Sequence, residues 1–137
     1  KYIREDVMNE IKAKWNEGVF IWESTVKQTR YILFNDLLLR AHAIKNKVSC
    51  VTMMSILEVA ELPAEEIQKR GITGEMGHHL VVELTLAPIK GEPNKVMVWC
   101  DPEATSRQWL TTLNAVREEH LSATIGTLMN KKLKPQQ

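Results

Sequence analysis

Ile3, Val7, Ile11 and Trp15 recur four residues apart in "KYIREDVMNEIKAKW", beside Arg4, Glu5, Lys12 and Lys14, and this spacing predicts an amphipathic helix over residues 1–14 that ends near residues 16–18. After Gly18 the texture becomes β-rich. "VFIWES" (19–24), "TRYILFN" (29–35) and "LLLRAHA" (37–43) read as an antiparallel meander, the last two strands joined at the turn pair Asn35-Asp36. "KVSCVTMMSILEVAEL" (47–62) is too long for one average strand and divides into two, with a break near residues 53–55. The polar, glycine-punctuated stretch 63–77 reads as a loop with a helical turn over residues 64–69.

Residues 80–86 alternate like a strand, "KGEPN" turns the chain, and Val96, Val98 and Cys100 alternate with Met97 and Trp99 in a strand covered on both faces. That strand stops at "DPE". Asp101 suits an N-cap, Pro102 the first helical turn, and Glu103 the positive end of the helix dipole. Thr105, Trp109, Leu113, Val116 and His120 then fall on one helical face, and Trp109, Leu113 and Val116 are the expected core contacts. One helix, seven strands and one helix, with no helix between strands, predict a mainly β (α+β) fold. Its seven-stranded antiparallel sheet is bent toward a barrel and capped by the C-terminal helix, with an extra N-terminal helix.

"EGVFIW", "RYILFNDLLLRA" and "VWCDPEATSRQWLTTL", in that order and spacing, resemble the pleckstrin homology (PH) domains over residues 17 to about 120. The wording "YILFNDLLL" is most similar to PH domains that follow Dbl homology domains in Rho-family exchange factors, and the leading helix resembles the end of such a catalytic domain. The resemblance implies three parts: residues 1–16 as the end of a preceding domain, 17–121 as the PH-like domain, and 122–137 as a basic tail. It implies a non-catalytic signalling module that docks a larger protein to anionic membrane, to a protein partner such as a small GTPase or an adjacent exchange-factor domain, or to both. Tight phosphoinositide binders of the family place a Lys near the end of the first strand and a Lys-x-Arg-like pair at the start of the second. The first position falls here on Trp22 or Glu23, and the second region offers Lys27 and Arg30, three apart, with Thr29 between them. What remains is a looser basic set, Lys27, Arg30, Arg40, Lys45 and Lys47, suited to weak phosphate and lipid attraction. The alternative is a purely protein-binding scaffold of the PTB type, which takes peptides along a sheet edge. Trp22 exposed beside the basic loops would favour the membrane.

Eighteen Lys plus Arg against seventeen Asp plus Glu give a net charge of +1, so the whole molecule makes no case for nucleic acid, and any cationic site is local. Two cysteines outside any Cys-x-x-Cys motif point to a reducing compartment, hence a cytoplasmic protein with peripheral membrane association. No apolar run approaches the length of a membrane span, and a start without Met suggests a piece of a longer chain. Catalytic residues, metal ligands and cofactors are not expected. Gly71, Gly74 and Gly77 fit no phosphate loop, and His78 and His79 would point to opposite faces of a strand. Cys50 and Cys100 read as small buried hydrophobes rather than nucleophiles.

Overall fold

The computed structural model describes residues 1–42, 47–70 and 80–133, with side chains as far as residue 129. Among the described residues eight strands and two helices follow in order: β1 (Tyr2–Asn16), β2 (Val19–Trp22), β3 (Lys27–Phe34), β4 (Leu37–His42), β5 (Lys47–Thr52), β6 (Ile56–Leu62), α1 (Ala64–Lys69), β7 (Val81–Leu86), β8 (Lys95–Trp99) and α2 (Glu103–Leu133). A 3-10 turn at Met53–Ser55 breaks the 47–62 run between β5 and β6. The sheet is antiparallel in the order β5-β4-β3-β1-β8-β7-β6, with β2 paired to β1, and its edge strands β5 and β6 leave it unclosed. This architecture, mostly β with a long C-terminal helix, is compatible with a PH-like fold.

The expected N-terminal helix is not there. Residues 2–16 form the central strand, paired with β3 along Tyr2 to Glu10 and with β8 along Asn9 to Lys12. A spacing of four serves a strand as well as a helix, because four is twice the strand period, and only partners on both edges decide between them. The buried residues here are Met8, Glu10 and Ile11, which share no four-residue stripe. Residues 19–24 in turn are not the first strand of the meander. β2 is a short return strand closed by a two-residue turn at Glu17 and Gly18, both at positive φ, and β3 resumes the pairing after residues 23–26.

Met8, Tyr31, Leu33, Leu38, Val82 and Val98 point into the sheet's concave side and meet Trp109, Leu113 and Val116 of α2. Trp109 is 0% exposed; its Nε1–H donates to Asp6 Oδ2 at 2.7 Å, and Arg4 lies over the indole ring at 5.7 Å. Asn114 Nδ2 donates to the Val59 carbonyl at 3.2 Å, and Arg117 donates to those of Ile56 and Leu57, so α2 ties down the β6 edge. On the convex side Ile11, Leu62, Ile67, Val81, Met97 and Trp99 form a second cluster under α1.

The helix begins at Glu103, one residue after the expected start, and the Pro102 carbonyl accepts from Thr105 N–H at 2.9 Å. It also runs through the segment expected to be a frayed tail, reaching Leu133 because nothing from 122 to 133 interrupts it except Gly126, a tolerated cost of about 1 kcal/mol. From residue 117 to residue 129 the helix contributes no buried residue, so these thirteen residues, about 20 Å at 1.5 Å each, run past the core.

Candidate functional site

Antiparallel register brings four features to one end of the sheet: the β1–β2 hairpin, the start of β3, the facing ends of β4 and β5, and the β7–β8 connection. Since β1 runs past its β8 partner at Lys12, residues 13–22 form a two-stranded finger. Trp15 stands opposite Phe20 and Ala13 opposite Trp22, which puts the aromatics on one face of the finger and Lys12 and Lys14 on the other. Phe20 meets Trp22 edge to face at 5.5 Å, and Trp22 is packed against the convex cluster under the Arg70 guanidinium, 4.6 Å from its ring centre. Trp15 is 46% exposed and Phe20 36%; Val19, Val26, Val48 and Ile89 are exposed at the same end. Lys12, Lys14, Lys27, Lys47 and Lys90 lie among them against Glu17, Glu23 and Glu92. Exposed apolar groups and lysines thus gather at this end of the sheet.

Behind this rim the concave side turns polar. Glu10 is buried and Arg40 is 6% exposed; Arg40 Nη2 lies 3.0 Å from Glu10 Oε2, Tyr31 donates its hydroxyl proton to the same carboxylate, and Arg40 Nε donates to Tyr31 Oη at 3.3 Å. Burial pushes the Tyr31 phenol well above its usual range against the pull of Arg40. Lys12 Nζ sits 3.7 Å from Glu10 Oε1 and 3.3 Å from His42 Nε2, while His42 Nδ1 is 3.3 Å from Thr29 Oγ1. Burial, then the nearby Arg40, lowers the Lys12 pKa. Burial, then Lys12, lowers that of His42, since a protonated ring would turn an N–H toward the lysine ammonium.

The His42 shift has a signed consequence. The unfolded chain takes up this proton near pH 6.5 and the folded chain only at lower pH, so stability is retained above that value and lost as pH falls through the interval below it. Denaturant midpoints measured from pH 7.5 to 5.5 should decline in the parent and decline less in His42→Gln; equal slopes would remove His42 from the effect.

The described members of the predicted basic set do not converge. Lys27 is at the open end and pairs with Glu23 at 3.8 Å; Lys47 is exposed there, two strands away. Arg30 points to the convex side, where it pairs with Glu5. Arg40 is not a surface cation: strand alternation turns it inward onto Glu10. Lys45 lies outside the described residues, as do His78, His79 and the glycines at 71, 74 and 77. Trp22 is half-buried, and Trp15 and Phe20 take the exposed place. Cys100 is buried, its thiol pushed up to about 11 by burial and then Asp6, whereas Cys50 faces outward on the edge strand β5 and is exposed. Nothing in a helical reading of residues 1–14 points to Glu10 or Lys12. The alternation Met8, Glu10, Lys12 was the available signal, and it has meaning only in a strand.

Among the described residues no group of three His, Cys, Asp or Glu is placed to hold a metal ion, and no helix is long and apolar enough to cross a membrane. Compared with models of known protein families and with curated proteins, the chain matches none.

Proposed function

We propose that this chain is a non-catalytic PH-like signalling module that docks a larger protein onto anionic membrane by the open end of its sheet. The observation that carries the reading is the finger, with exposed Trp15 and Phe20 on one face and Lys14 on the other, and Lys27 and Lys47 at the same end of the sheet. Aromatic rings suit the interfacial layer of a bilayer, and each exposed cation near an anionic surface contributes on the order of 1 kcal/mol. If β1 is taken as the first strand of a PH-like sheet, this reading puts Lys12 and Lys14 near its end in place of Trp22 or Glu23. The exchange-factor context now leans on the "YILFNDLLL" wording alone, because residues 2–16 are strand.

Sedimentation with phosphatidylserine vesicles tests the proposal. Binding is expected to rise with total lipid charge and fade with salt, since exposed charges are screened over about 8 to 10 Å. Lys14→Glu, Lys27→Glu and Lys47→Glu combined should weaken it by about a hundredfold or more. Trp15→Ser with Phe20→Ser should weaken it without changing the salt slope. A parent protein that stays in the supernatant with every vesicle would defeat the reading. It would leave the protein-binding scaffold, which the exposed stripe Leu121, Ile125 and Leu128 on the free half of α2 favours.

A further inference from the structure

Surface attraction does not account for Arg40 and Glu10. A buried ion pair is weak evidence for stability, because desolvation offsets most of its Coulomb energy. Arg40 Nη2, although 3.0 Å from Glu10 Oε2, makes no well-aligned hydrogen bond among the described residues, and neither does Glu10 Oε1. Arg40 lines the buried side of a cavity of about 460 Å3, which lies in the seam between β5 and the β7–β8 connection. The seam exists because β5 and β6 are the unpaired ends of the sheet. Lys12 and Ser49 stand on the polar wall, and Val51, Leu86 and Ile89 supply an apolar one. The size is that of a small-molecule site, about 300 to 1,000 Å3. Lys12 and Arg40 against Glu10 leave one positive charge over.

We infer that this seam cavity binds an amphiphile bearing a single anionic head, with the head on Arg40 and Lys12 and the apolar body along Val51, Leu86 and Ile89. The head's oxygens offer Arg40 Nη2 a better-aligned acceptor than Glu10 Oε2 does, and one negative charge balances the one left over. Carboxylate and phosphate diester heads, each carrying one negative charge near neutral pH, share this chemistry, whether on a free acyl acid or on a lipid drawn from a bilayer. The inference does not depend on the finger, which meets a surface rather than a molecule.

A thiol placed in the cavity reads occupancy directly. Ser49→Cys in a Cys50→Ser background leaves Cys100 as the other thiol, which is buried and unreactive near neutral pH. Decanoate and methyl decyl phosphate, each singly charged and below its micelle-forming concentration, are expected to slow alkylation of the new thiol in a saturable manner. Decanol, with the same body and no charge, should need about ten- to hundredfold more, the value of a charge-assisted hydrogen bond. Lys12→Met, at a part-exposed position, should melt with the parent and close much of the gap between decanoate and decanol. Calorimetric titration of the unsubstituted protein with decanoate should give the same affinity. Protection by a short-chain phosphatidylserine below its micelle-forming concentration as well as by decanoate assigns the source to bilayer lipid; protection by decanoate without it assigns the source to free acids. No protection by the soluble anions, or equal protection by decanol, overturns the inference, and neither result touches vesicle sedimentation through the finger.

Discussion

Trp109→Ala should leave little folded protein. The indole is 0% exposed at the centre of the core, in edge-to-face contact with Tyr31 at 6.3 Å, and it is the hydrogen-bond link between α2 and Asp6 of β1. Removing a buried Trp costs about 3 to 5 kcal/mol, to be set against a total of about 5 to 15 for a typical domain. The loss has no local remedy, because Asn114 and Arg117 reach the β6 carbonyls only if α2 is seated. Trp109→Phe separates the two contributions: it keeps most of the packing, and Asp6 retains Arg4 at 2.9 Å, so a cost of about 1 to 3 kcal/mol is expected. Urea unfolding followed by circular dichroism decides the matter. A cooperative transition for Trp109→Ala at the parent's midpoint would mean that the helix does not close the core.

The second large effect is expected at Glu10. Glu10→Gln keeps the shape and removes the charge, so Arg40 remains a buried cation without its counter-ion, a situation that costs about 3 to 5 kcal/mol. Arg40→Met should be comparably destabilising, because it strands the Glu10 carboxylate with Tyr31 and Lys12. Glu10→Leu combined with Arg40→Met removes both charges and should recover to within about 1 to 2 kcal/mol of the parent, since apolar replacement of a whole buried pair is often neutral. The double-mutant cycle therefore predicts strong coupling between positions 10 and 40. Additive single effects, or singles within about 0.5 kcal/mol of the parent, would show that the pair is solvated in solution.

Much of the fold was legible from local pattern. Alternation placed the strands from residue 27 onward to within a few residues, the Asn35-Asp36 turn joined β3 to β4, and the face of Thr105, Trp109, Leu113, Val116 and His120 is the face that α2 turns to the core. Those features depend on side-chain period and turn chemistry, which neighbouring residues fix among themselves. The site was far less legible. Lys27, Arg30, Arg40 and Lys47 are equally basic in one dimension, yet one is paired on the convex side and another is buried. The sequence by itself determined the mainly antiparallel β character and the helix anchored by Trp109. Only the tertiary structure decided that residues 2–16 are the central strand, because a four-residue spacing fits both periods until β3 and β8 occupy the two edges. From that one assignment follow the finger carrying Trp15 and Phe20 and the inward row Met8, Glu10, Lys12, since pairing partners fix which way every second side chain points.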